Sequence, residues 1–188
     1  MIPYFENDLY SERLVLKHLE PNLKNAKMIF EMLKKENKSD YVYEAPIIPN
    51  VLPSNLQETL QMMKNNKSFE DNNGVCFYMF YNGIFVGVRK IAFFEDINSL
   101  KLSSVWVIKS VRRQGLAHES FNVIEKIAFE KLKVNRIARV NVLENYASLK
   151  LARKMGFYLD GISRQSVLLH DNKIYDLMFW SKLSSDKR

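Results

Sequence analysis

The chain has 188 residues, 47% of them hydrophobic and 12% aromatic, which suits one domain with a sizeable core and excludes a disordered chain. Its net charge of +7 calls for an acidic partner, for which a phosphate-bearing ligand, a nucleic acid and a ribosomal surface all qualify. The basic residues are scattered rather than gathered in a stripe, so a solvated basic surface is preferred to direct nucleic-acid binding. No run of about 18 apolar residues predicts a membrane span. The start, Met1–Glu6, has neither a basic n-region nor an apolar h-region, so no signal peptide is expected. Cys76 is the sole cysteine, which rules out an intramolecular disulfide and makes a reducing cytoplasm the easier location.

Leu14-Val15-Leu16 reads as a first strand. From Asn22, the residues Leu23, Ala26, Phe30 and Leu33 trace one helical face. An irregular connection runs from Asn37 to Pro53 and holds Tyr41, Tyr43 and Glu44; connections this long in a compact domain are often functional. A helix resumes at Ser54, with Ser54 and Gln57 as a capping pair and Leu56, Leu60 and Met63 on a shared face. Asn65–Gly74 is polar and reads as a surface loop. Next comes a hairpin of Val75–Tyr81 and Ile84–Ile91 about Asn82-Gly83, a pair that tolerates the positive φ of a tight turn. Glu95–Ser99 is a second turn and Leu100–Ile108 a third strand of this group.

That strand enters a basic turn, Arg112-Arg113-Gln114-Gly115-Leu116-Ala117, and then a helix with Phe121, Ile124, Ala128 and Leu132 on one face. The first amides of a helix lack intrahelical partners and sit at its positive pole, so they can hold a phosphate. Gly115 lets the backbone come close to it, and Arg112 and Arg113 add charge. An ordinary strand–turn–helix joint with exposed arginines has equal weight on this segment alone. Arg136–Leu143 is a further strand, Asn145 starts a short helix that Gly156 stops, and Phe157–Leu169 with Ile174–Trp180 make a closing hairpin about His170–Lys173. The order implies a mixed α/β sheet of six or seven strands in one domain over residues 1–188.

The basic turn matches Arg/Gln-x-x-Gly-x-Gly/Ala, and Asn145–Phe157 resembles an Asn-x-x-Ser-x-x-Leu-x-x-Lys-x-Gly-Phe stretch. Ser11–Leu16 resembles an opening strand, Trp106 sits where a fourth strand often carries an aromatic residue, and His170–Asp176 resembles a closing hairpin. Together and in this order, these elements resemble the GNAT superfamily of N-acetyltransferases, in particular its RimJ/RimL-like branch, known for acetylating protein N-termini. The resemblance implies a mostly antiparallel sheet flanked by helices, with two central strands splayed for acetyl-CoA and a bulge in the first of them. It places pantetheine against the backbone of Val105, Trp106 and Val107. It places the pyrophosphate on the amides of Arg112, Arg113, Gln114, Gly115, Leu116, Ala117 and His118. Asn145 becomes both a cap and a CoA-side contact.

In the branch, the amine attacks the thioester directly. Ser148 matches the serine that protonates or hydrogen-bonds the departing thiolate, and is the catalytic candidate; a plain third residue of a capped helix is the competing reading. No metal is expected: His18, His118 and His170 have no ligand spacing, and Cys76 reads as a buried thiol. The carboxylates that often serve as the base are missing, since those regions read Leu100–Ser104 and Gln165–Leu168. Glu44 or Tyr43 could face the cleft. An N-terminal amine, with a reference pKa near 8 against about 10.4 for lysine, suits a weak base. The expected acceptor is therefore a protein or peptide N-terminus, ribosomal or other. A small-molecule amine is the rival acceptor and a non-catalytic acyl-CoA-binding protein the rival class; a homodimer is left open.

Overall fold

Among the described residues, eight strands form one sheet in the order Leu9–Tyr10 (β1), Leu14–Lys17 (β2), Gly74–Tyr81 (β3), Ile84–Phe94 (β4), Ser99–Val107 (β5), Arg136–Val142 (β6), Ile174–Leu183 (β8) and Tyr158–Leu168 (β7), with every neighbouring pair antiparallel except β5–β6. The computed structural model describes residues 2–41, 43, 52–70, 73–169 and 171–186. Glu44, most of the long connection and His170 lie outside them. In chain order the elements are β1 (Leu9–Tyr10), β2 (Leu14–Lys17), α1 (Leu23–Leu33), α2 (Leu56–Glu70), β3 (Gly74–Tyr81), β4 (Ile84–Phe94), β5 (Ser99–Val107), α3 (Leu116–Lys126), β6 (Arg136–Val142), α4 (Tyr146–Lys154), β7 (Tyr158–Leu168) and β8 (Ile174–Leu183). The sheet exceeds the expected six or seven strands because two residues before the first predicted strand, Leu9 and Tyr10, pair back onto Leu16 and Val15. A two-residue strand has no periodicity to read.

β3 is buried along almost its whole length, from Gly74 to Phe80, so both its faces are covered. The hairpin turn between β3 and β4 has Asn82 at φ 50° and Gly83 at φ 75°, the paired positive values that the Asn-Gly sequence predicts.

Two helical expectations are corrected. In α1 the inward residues are Ala26, Ile29 and Leu33, while Leu23 is exposed, because the buried face is turned by about one residue from the predicted one. α2 does not stop at Asn65 but runs through Glu70, and its cap lies at Asn55, not at a Ser54–Gln57 pair. Asn55 Oδ1 accepts from the Glu58 amide at 2.9 Å, and the Glu58 carboxylate reaches back to the Ser54 amide at 2.7 Å. The polar end of α2 is held by tertiary partners. Asn66 is buried and donates to the Tyr78 hydroxyl at 3.0 Å, and Glu70 accepts from the Cys76 amide at 3.3 Å.

β5 and β6 control what the fold can bind. They pair in parallel only from Ser99↔Arg136 to Leu102↔Arg139. At that point β5 carries a bulge: Lys90 faces Ser104 and Ile91 faces Leu102, leaving Ser103 as the extra residue. Beyond it β5 continues along β4 while β6 continues along β8, so the sheet opens into a V. No helix among the described residues is long and apolar enough to cross a membrane.

Candidate active site

The edge of β5 that β6 leaves unpaired belongs to Val105 and Val107. Ile108 N donates to Val86 O at 2.9 Å, and Gly87 lies opposite Val107. In an antiparallel ladder, alternate residues aim their backbone groups to opposite sides. The N–H and C=O of Val105 and Val107 therefore point away from β4 and into the gap left by β6. Trp106 between them is a core residue, its ring edge-on to Tyr41 at 6.1 Å and to Phe85 at 5.9 Å.

The basic turn follows directly. Arg113 and Gly115 hold positive φ (64° and 83°), which folds the chain back on itself before α3. α1, α2 and α4 are capped by the side chains of Asn22, Asn55 and Asn145, whereas α3 begins at Gly115 with no side-chain cap. The amides at the start of α3 thus keep the donor capacity that capping removes elsewhere. Leu116 anchors this turn in the core, and the Ala117 carbonyl accepts from Arg89 at 2.7 Å. Arg112 lies on the β5 side of the V: its Nε donates to the Val107 carbonyl at 2.9 Å, and its guanidinium carbon sits 4.7 Å from the Tyr41 ring centroid. Arg113 and Gln114 are exposed.

A cavity of about 440 Å³ adjoins the same helix start and is lined by His118, Asn122, Glu125, Arg153, Lys154 and Lys182, among others. Lys182 pairs with Glu125, which leaves Arg153 and Lys154 to make the wall basic. Burial, then the Lys154 charge, holds His118 below its usual pKa of 6.5.

Across the V, Asn145 Oδ1 accepts from the Ser148 amide at 3.0 Å and so caps α4, as predicted. The Ser148 hydroxyl oxygen accepts from Arg139 Nη2 at 2.6 Å. Arg139 and Arg89 are buried arginines that the sequence reading passed over, and neither makes an ion pair among the described residues. Desolvation, followed by the charge of Arg139, brings Arg89 down to about 9, and desolvation brings Arg139 to about 10. The available signal was an arginine on the inward face of a strand, between Ile137 and Asn141.

Glu144 was also missed. It is half-buried, one residue before the Asn145 cap, and its Oε2 is buried with no hydrogen-bond partner among the described residues. Tyr175 is its neighbour: the phenol is pushed up to about 12, chiefly by its hydrogen bond to Asp171, with smaller effects from Tyr43 and Glu144. Tyr43 packs edge-on to Tyr175 at 5.9 Å, so this part of the long connection lies against the start of β8. No cluster of three or more His, Cys, Asp or Glu side chains suited to a metal occurs among the described residues.

A family model described as an acetyltransferase (GNAT) domain matches residues 13–158. The chain belongs to the GNAT acetyltransferase family. It is similar to YdaF of Bacillus subtilis (strain 168), provisionally named a ribosomal N-acetyltransferase, with 22% identity over 120 residues. That match covers 64% of this chain and 65% of YdaF, so the chain spans just under two thirds of the curated relative's length. Among solved structures, the fold is shared with RimL, the ribosomal L7/L12 α-N-protein acetyltransferase, in complex with coenzyme A (TM-score 0.78, 18% identity, 94% of this chain and 97% of that one). It is shared equally with the microcin C7 self-immunity acetyltransferase MccE in complex with acetyl-CoA and AMP (TM-score 0.78, 17% identity, 92% and 93%).

Proposed function

We propose that this GNAT-family chain, a single domain over residues 1–188, is an acetyl-CoA-dependent N-acetyltransferase that acetylates a primary amine, foremost the N-terminus of a protein or peptide. The observation that carries the reading is the free edge of β5 at Val105 and Val107, opening beside the uncapped start of α3. An extended ligand added to that edge as a strand leads its phosphates to the helix amides from Arg112 to His118. The same ligand displaces Arg112 from the Val107 carbonyl and frees its guanidinium for a phosphate.

Acetyl-CoA supplies the activated acyl group and a thiolate that can depart. Ser148, fixed at the start of α4 by the Asn145 cap, donates its hydroxyl hydrogen to that sulfur as charge develops. Glu144, with a buried oxygen that bonds nothing among the described residues, accepts the proton that the amine must lose, directly or through a water. A carboxylate base fits an α-amino group, whose reference pKa is near 8, better than a lysine near 10.4. The names of YdaF and RimL support a ribosomal protein as the acceptor, and the net charge of +7 suits an acidic one.

Radioactive acetyl-CoA added to a cell lysate tests this, with Gly115→Glu as the control that blocks the phosphate site by bulk and charge. Label in protein N-termini, lost with Gly115→Glu, is the expected result. Label in the small-molecule fraction moves the acceptor to a metabolite amine. Acetyl-CoA binding with no transfer to anything overturns the enzyme reading.

A further inference from the structure

Arg139 is only 6% exposed and lies where β5 and β6 part, opposite Leu102 in the last pair of the ladder. One of its three nitrogens, Nη2, bonds Ser148; Nε and Nη1 are buried with no hydrogen-bond partner among the described residues. Burying a cation without an anion is strongly unfavourable, and its surroundings mostly deepen the penalty. Another buried cation, Arg89, feels its charge, and the N-terminus of α4 adds its positive pole. The Phe157 ring, with its centroid 6.0 Å from the guanidinium carbon, offers partial relief. A site this positive is prepared for negative charge that comes and goes. Even at its lowered pKa of about 10, Arg139 remains charged at neutral pH.

The hydrogen-bond pattern says where that charge forms. Ser148 Oγ accepts from Arg139, the Ser148 amide is taken by Asn145, and the hydroxyl hydrogen is given to no acceptor among the described residues. A hydroxyl whose lone pair is occupied by a cationic donor is turned to present its hydrogen elsewhere, and it becomes a stronger donor.

We infer that Arg139 is a positioning residue that acts through Ser148: it fixes the hydroxyl so that its hydrogen meets the departing sulfur, and it makes negative charge there more favourable. The inference rests on the transferase reading above. In the step concerned, the amine nitrogen forms the C–N bond and the C–S bond breaks with its electron pair going to sulfur. The thiolate leaves hydrogen-bonded to Ser148, and the surplus proton on nitrogen passes to Glu144 and then to solvent. Arg139 touches none of the reacting atoms.

The test is steady-state release of free thiol from acetyl-CoA by the full chain, with a free-N-terminus peptide from the lysate labelling as acceptor. Arg139→Gln, Ser148→Ala and the double variant are compared, with acetyl-CoA binding and thermal melts measured alongside. Each single change is expected to lower kcat about 100-fold while leaving KM for acetyl-CoA within about threefold. The double variant should then fall no more than about threefold below the worse single, because both remove one device. Arg139→Lys, which keeps the buried cation, should recover part of the rate, and it replaces the glutamine variant in the comparison if that chain does not fold. An unchanged kcat in Arg139→Gln, losses that multiply in the double variant, or a loss confined to acetyl-CoA binding each overturns the inference while the transferase reading stands. No thiol release by the unaltered chain overturns that reading and the inference with it.

Discussion

Arg13 grips Glu119. The Arg13 amide donates to Glu119 Oε1 at 2.8 Å and its Nε to Oε2 at 2.7 Å, while Ser11 Oγ donates to Oε1 at 2.7 Å. The two residues are 106 positions apart, and the contact ties the turn before β2 to the first turn of α3. Arg13 Nη2 also donates to the Gln114 carbonyl at 3.0 Å, so it steadies the basic turn itself.

Glu119→Ala should therefore weaken both the fold and the loop. The loss is expected at about 1–2 kcal/mol, the lower part of the range for charge-assisted bonds because Arg13 is partly exposed. Burial raises the Glu119 pKa, but the bonds from Ser11 and Arg13 outweigh it and leave the carboxyl below its ordinary 4.5. Its stabilisation is thus complete above pH 4.5 and is lost as pH falls through the lowered value. Urea melts of both chains at pH 7 and at acid pH should show the difference shrinking with acidification, and acetyl-CoA affinity should drop in the variant.

Gly87→Ala should damage the V from behind. A Cβ at Gly87 would come within 2.1 Å of the Trp106 carbonyl and 3.0 Å of Val107 Cα, both backbone atoms that cannot swing aside. β4 and β5 would have to separate where β5 offers its free edge. A stability loss of about 3 kcal/mol or more is expected, read as a fall in the urea midpoint. A variant as stable as the original would contradict this packing.

Glu144→Gln tests the proton acceptor. The amide keeps the size of the carboxylate but cannot take a proton, so kcat/KM for the amine should fall about 100-fold at neutral pH. The loss should narrow as pH rises and the free amine becomes abundant. A pH-independent loss would point to a binding role for Glu144 instead.

His18 and Glu70 set a pH window for stability. Their nitrogen and oxygen lie 3.6 Å apart, joining the end of β2 to the end of α2. The Glu70 carboxylate raises His18 above 6.5, against the pull of burial. Burial pushes Glu70 up, but His18, the Cys76 amide and Lys67 bring it below 4.5. The histidine's contribution is full below pH 6.5 and is lost as pH rises through its raised value; the glutamate's is full above 4.5 and is lost as pH falls through its lowered value. The melting-temperature difference between the native chain and His18→Gln should be largest between those limits.

Local signals were legible where a residue acts on its own neighbours in the chain. Asn145 caps the helix it precedes, Asn82-Gly83 makes its turn, and Gly115 takes the positive φ that its place before α3 requires. The same local reasoning failed at Asn65–Glu70, whose polar residues look like a loop but continue α2 because Tyr78, Cys76 and His18 complete their bonds from distant strands.

Periodicity, turn chemistry and two short motifs in order thus determined most of the element sequence, the basic turn before α3 and the serine at the start of α4. These depend on φ, capping and side-chain spacing, all set within a few residues. Only the tertiary structure decided that Arg139 lies buried under Ser148, that Glu144 keeps an unbonded oxygen near Tyr175, and that Arg13 holds the loop through Glu119. Each of these is a charge whose effect depends on burial and on partners from other elements, and neither quantity is written in the local sequence.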